Sequence, residues 1–117
     1  MATTANGGKQ MKDYIKNSKM FKALSDATRL QIVEMLAGGE LCACKILAHF
    51  NITQPTLSYH MKILIGSGLV YGRREGAWMQ YSLNKEALAE ASALLRKISL
   101  SKKVPDTGTC GCREARA

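Results

Sequence analysis

No apolar stretch in this sequence approaches the ~20 residues that a bilayer-spanning helix requires, and the opening Met1-Ala2-Thr3-Thr4-Ala5-Asn6-Gly7-Gly8 has no apolar centre of a secretory signal. A cytoplasmic protein is therefore expected, with no membrane partner. There is no Cys-x-x-Cys, no βαβ pattern and no phosphate-type glycine loop, which leaves a small thiol enzyme such as a disulfide reductase without its signatures and predicts a protein that is not an enzyme. Acidic residues are scarce, nine against seventeen Lys and Arg, for a net charge of +8. That balance favours a polyanionic partner, nucleic acid or an anionic surface, without choosing between them. With 117 residues and 46% hydrophobic content the chain can bury one core but hardly two. In a reducing compartment its four cysteines are free thiols, suited to metal binding, redox sensing or simple burial.

Residues 1–9 are small and polar and are expected to form a disordered tail. From Met11 to Leu24, Tyr14, Ile15, Met20, Phe21 and Leu24 interleave with Lys12, Lys16, Lys19 and Lys22, the pattern of an amphipathic helix. Its apolar content exceeds what a surface helix of so small a protein needs, which points to a second subunit. Ser25 and Asp26 offer caps for a helix carrying Leu30, Ile32, Val33, Met35 and Leu36, stopped by Gly38-Gly39.

A short helix follows, with Cys42 and Cys44 at its start and Leu41, Ile46, Leu47 and Phe50 on one side. After the brief turn Asn51-Ile52, Thr53 is a plausible N-cap and Pro55 falls in a first turn where its missing N–H breaks no bond. At 100° per residue Leu57, Met61, Leu64 and Ile65 share one arc, while Pro55, Thr56, Tyr59 and Lys62 point elsewhere. Two short helices around a tight turn, the second with hydroxyl, amide and aromatic groups near its N-terminus, make a helix-turn-helix. Gly66-Ser67-Gly68 ends that helix. Leu69-Val70-Tyr71 and Trp78, Met79, Tyr81 and Leu83 then read as two strands around the charged turn Arg73-Arg74-Glu75-Gly76. The expected fold is mainly α with a small two-stranded β wing, a winged helix-turn-helix over residues 10–103. From Asn84 to Leu100, Ala87, Leu88, Ala91, Leu94, Leu95 and Ile98 predict an alanine-rich helix able to pack closely, a second candidate dimer surface. Residues 104–117 form a flexible tail whose linker leads to Cys110-Gly111-Cys112.

For base contact the candidates are Gln54, which can pair bidentately with adenine, then Ser58 and Tyr59, with Thr56 and His60 as further contacts. His60 lies at the edge of the buried arc, so packing or a phosphate contact is its alternative role. Lys62, Arg73 and Arg74 are assigned to phosphates.

With these residues in place the chain resembles the arsenic-responsive branch of the ArsR/SmtB family of bacterial metal-sensing repressors. The likeness runs from about Met20 to Leu83. It rests on Ala23-Leu24-Ser25-Asp26-Ala27-Thr28-Arg29-Leu30, Glu40-Leu41-Cys42-Ala43-Cys44, the segment Thr53 to Leu64, Gly68-Leu69-Val70 and Arg73 to Trp78. The resemblance implies a homodimer formed by the first and last helices, seated on double-stranded operator DNA without a cofactor and released by the toxic ion. Three departures stand out. The third cysteine of a full helical arsenic site is Leu47 here, the frequent arginine of the reading segment is Tyr59, and Asn84 to Leu100 holds no Asp or His for the family's zinc site.

The resemblance implies arsenite, As(III), as inducer, with antimonite, Sb(III), as a second candidate, held by three thiolates; soft ions select such ligands. Cys42 and Cys44 supply two, and Cys110 or Cys112 is the expected source of the third. An extended tail from Leu100 to Cys110 reaches up to ~35 Å. Standing on one helix, Cys42 and Cys44 lie about 200° apart, so that gripping one ion has to unwind or displace its first turn and misplace Gln54, Ser58 and Tyr59. A helix N-terminus lowers a thiol pKa and favours that binding. The alternatives on the same DNA module are a thiol redox sensor, a cadmium, lead or zinc sensor, and a structural zinc on all four cysteines.

Overall fold

The computed structural model describes residues 6–102, with side chains from residue 11 onward. In chain order the elements are α1 (Asn6–Ala23), α2 (Ala27–Leu36), β1 (Leu41–Cys42), α3 (Ala43–Ala48), α4 (Gln54–Gly66), β2 (Val70–Glu75), β3 (Trp78–Leu83) and α5 (Lys85–Leu100). The fold is mainly helical with a small antiparallel sheet in the order β1-β3-β2.

Local chemistry sets the helix starts. Asp26 accepts from the Arg29 N–H, Thr53 from the Thr56 N–H and Asn84 from the Ala87 N–H, each satisfying one of the donors a helix start leaves open. Met20, Ile32, Leu36, Ile46, Met61, Leu64 and Leu69 are fully buried, so α1 to α4 and the loop entering β2 each contribute to one core. Val70 and Tyr81 close it from the sheet side, and Ala87 and Ala91 are buried on α5, which runs against α1. Lys16 and Glu90 bridge those two helices at 2.9 Å.

Four expectations change. Helix α1 begins at Asn6, inside the tail expected over residues 1–9, because extending a helix that packing has already nucleated adds a hydrogen bond per residue at little further cost. The sheet has three strands, not two: Leu41 pairs with Tyr81 and Cys42 with Gln80, satisfying the outer backbone groups of β3 that a lone hairpin leaves open. Arg73, Arg74 and Glu75 lie in β2, not in a turn. Glu75 pairs with Trp78, so the loop is Gly76-Ala77, and positive φ at Gly76 alone is the signature of a type II′ turn. Leu30 and Ile65, placed in the apolar set by pattern, are 53% and 40% exposed. Ile65 packs toward the wing instead, its Cδ1 3.0 Å from where a Cβ would stand at Gly72, a point that Met79 and Tyr81 side chains also approach to 3.2 Å. Gly72 thus lets α4 and the wing touch without an intervening side chain.

The tail expected over residues 104–117, with Cys110 and Cys112, lies outside the described residues. Among the described residues no helix is long and apolar enough to cross a membrane.

Candidate nucleic-acid interface and thiol site

Helix α4 divides into two faces. Leu57, Met61 and Leu64 are buried, and Gln54, Thr56, Ser58, Tyr59 and Lys62 are exposed on the remainder, Tyr59 to 60%. Contacts with α2, β2 and α1 fix the helix on its apolar side. Its entry is ordered by Thr53, which accepts from the Thr56 N–H at 3.3 Å and meets the Thr56 hydroxyl at 3.0 Å. The connection from α3 spans residues 49–53. A solvent-facing row of amide, hydroxyl and phenol at a helix start suits base edges in a major groove.

His60 does not share that outward row. Its side chain is only 12% exposed, with Nδ1 3.1 Å from Arg29 Nη1 and 3.9 Å from Asp26 Oδ2. The packing alternative fits this placement better than a base contact does. Asp26 is held below the usual carboxylate range, first by the Arg29 backbone N–H it accepts and then by the Arg29 charge.

The two wing arginines differ as well. Arg73 donates to both oxygens of Glu40, from Nη2 at 2.9 Å and Nε at 3.2 Å, and its Nη1 lies 3.1 Å from Glu75 Oε1. The fork of hydrogen bonds to Glu40 is also what raises the Arg73 pKa most. Arg74 is exposed and makes no salt bridge among the described residues. Nothing in sequence spacing marks Glu40 as a partner for Arg73, 33 residues away. The sheet register explains it, since Cys42 pairs with Gln80 and Gln80 with Arg73, which lays the segment entering β1 across the wing.

The cysteine geometry corrects the helical premise. Cys42 is not in the helix. It ends β1 with extended backbone (φ −75°, ψ 146°) and serves as the N-cap of α3, its Sγ accepting the Cys44 N–H at 3.2 Å. The Cys42 sulfur sits at the start of α3 over the Cys44 backbone N–H, so the angle between two residues on one helix does not describe the pair. The neighbouring Cys44 side chain is the main cause that lowers the Cys42 pKa, with backbone N–H groups of Cys44 and Lys45 adding to it. The Cys42 side chain in turn pushes the Cys44 thiol up. Cys42 is thus the more acidic thiol of the pair. Both are half-buried free thiols. Among the described residues no group of three or more His, Cys, Asp or Glu side chains is arranged to hold a metal ion. Leu47, where a third cysteine would stand, packs against the core.

Residues 26–71 match the family model described as "Bacterial regulatory protein, arsR family". The chain is 42% identical over 104 residues to the arsenical resistance operon repressor of Staphylococcus xylosus, an alignment covering 89% of this chain and 95% of that protein. Among solved structures it is similar to a "Possible transcriptional regulator for arsenical resistance", with a TM-score of 0.63 and 28% identity, covering 71% of this chain and 85% of that one. The homodimeric winged helix-turn-helix DNA-binding domain of a possible ArsR-family regulator from Mycobacterium bovis is likewise similar. Its TM-score is 0.62 at 30% identity, with 85% of this chain and 90% of that one covered.

Proposed function

The chain belongs to the bacterial arsR family of regulatory proteins, transcriptional regulators rather than enzymes, and from that premise we propose a repressor whose grip on operator DNA is broken when cysteine thiolates bind trivalent arsenic. The observation that carries this reading is the position of Cys42. Its sulfur caps α3, which leads through residues 49–53 into α4, and its backbone is paired through Gln80 to the wing strand of Arg73.

In this proposal Gln54, Ser58 and Tyr59 read bases, with Thr56 beside them, and Lys62 and Arg74 meet phosphates. Two copies are joined through α1 and α5. Met11, Tyr14 and Ile15 on α1 are about half exposed, as are Leu95 and Ile98 on α5, spaced so that each set lies on one side of its helix. Arsenite binds at the Cys42 and Cys44 pair, the tail cysteines Cys110 or Cys112 completing three thiolates; antimonite is a second guest of the same chemistry. Drawing Cys42 toward an ion shifts β1 and with it Glu40, so the strain reaches the wing as well as α4. An ion that binds this altered arrangement more tightly than the DNA-bound one lowers operator affinity by linkage.

Operator DNA carrying the protein, challenged under reducing conditions with arsenite, antimonite, cadmium, zinc and separately with an oxidant, tests the input. Arsenite is expected to release wild-type protein and to leave Cys42→Ser/Cys44→Ser on the DNA. Equal release of both proteins sinks the thiol assignment. Two free thiols at one helix start also favour an oxidation-sensing reading, which release by the oxidant alone would establish in its place. Undiminished arsenite stoichiometry and affinity in Cys110→Ser/Cys112→Ser removes the tail from the site.

A further inference from the structure

Apolar contacts through Leu57, Met61 and Leu64 set which side of α4 faces the body of the protein, but burial of this kind is non-directional and does not by itself set the fine rotation of the helix about its axis. Reading a groove demands more. The directional tether on α4 is at His60. A guanidinium has donors and no acceptor, so the 3.1 Å contact is donated by Arg29 Nη1, and the His60 Nδ1 that receives it is unprotonated.

The same Arg29 side chain reaches one further element, and its backbone anchors it in its own. Its Nε donates to the Ala23 carbonyl, the last residue of α1, at 2.7 Å. Its backbone N–H is held by Asp26, the cap of α2, at 3.1 Å. One half-buried residue therefore joins the end of α1, the start of α2 and the middle of α4. On the outward side of this link, the Tyr59 ring stands edge to face against the imidazole, centroids 5.5 Å apart and planes at 61°.

We propose that Arg29 is a positioning residue for DNA recognition: through Nδ1 of His60 it sets the rotation of α4 and the direction of Tyr59, and through Ala23 it references both to α1. This rests on the reading of α4 as the groove-entering helix. It assigns Arg29 and His60 to discrimination between sequences rather than to affinity for DNA in general. The α1 connection matters because α1 carries one of the proposed dimer faces, so the same residue ties the aim of each reading helix to the two-fold arrangement of the pair.

The experiment uses full-length protein and a duplex selected by the wild type from a randomised pool, compared with unselected duplex of equal length. The readout is the ratio of the two affinities, with circular dichroism melting of each variant recorded beside it. Arg29→Ala, His60→Ala and His60→Gln are expected to lower the ratio on the order of tenfold, mainly on the selected duplex. His60→Asn places an amide oxygen where Nδ1 stood and keeps most of the ratio, which a residue serving only as filler does not predict. In the His60→Ala background, Arg29→Ala adds little further loss. The proposal is overturned if His60→Asn and His60→Gln lose alike, if Arg29→Ala costs the same in both backgrounds, or if selected and unselected affinities fall together. A wild-type protein that selects no sequence at all overturns the reading of α4 instead.

Discussion

Replacing Arg74 by alanine and replacing Arg73 by alanine are expected to have unequal effects on DNA binding, although the two are neighbours in one basic strand. Arg73 lies among the oxygens of Glu40 and Glu75 at 2.9 to 3.2 Å, so two carboxylates already answer its charge. Arg74 makes no salt bridge among the described residues, and its cation is available to a phosphate. Each phosphate neutralised contributes about 0.9 to the slope of log affinity against log salt, so one contact per subunit in a dimer amounts to roughly 1.8. Between about 50 and 200 mM salt that slope corresponds to roughly a twelvefold change in affinity. Fluorescence anisotropy on an operator duplex across this range should show Arg74→Ala flattening the line by about that amount, on specific and random DNA alike. Arg73→Ala should leave the slope near wild type, and Glu40→Gln/Glu75→Gln should steepen it by freeing Arg73. If Arg73→Ala flattens the line as much as Arg74→Ala, Arg73 exchanges its carboxylates for a phosphate on binding and the distinction fails.

Alkylation of the two described thiols should separate by pH: Cys42, lowered, becomes thiolate and reacts at lower pH than an ordinary cysteine, whereas Cys44, raised, reacts only at higher pH. Cys44→Ala removes the side chain that does most to lower Cys42, so mass spectrometry should find the Cys42 reactivity profile moved upward; an unmoved profile refutes the thiol pair. Gln54→Ala should cost about 1–3 kcal/mol on the preferred sequence and relax discrimination at one position, measured by competition against singly substituted duplexes, and an equal loss on random DNA argues against a base contact.

Much of this architecture is legible in the chain because the signals are local. Thr53, Pro55 and the Leu57, Met61, Leu64 stripe specify a helix start and its buried side with no knowledge of the rest. The glycine near the wing tip reads as a turn former and is one, but pairing register decides that Gly76-Ala77 alone makes the loop. What escapes the sequence is what depends on distant partners. Leu41 and Cys42 look like the first turn of a helix until β3 offers an open edge, and once they pair there the angular argument about the two sulfurs no longer applies. Ile65 follows the helical arc yet turns to the wing because Gly72 leaves room for it. The partners of Arg73 and His60 lie 33 and 31 residues away, beyond any periodicity.

On the proposed reading a stopper and a sensor share one atom in this protein. Sulfur is a feeble acceptor for a helix's opening N–H, and α3, six residues long, has little internal bonding to fall back on. Serine at position 42 makes a stronger plug. The substitution proposed to deafen the repressor is therefore expected to firm up the very helix it silences, so that on this proposal sensitivity to the inducer is kept by tolerating a weak joint where α3 begins.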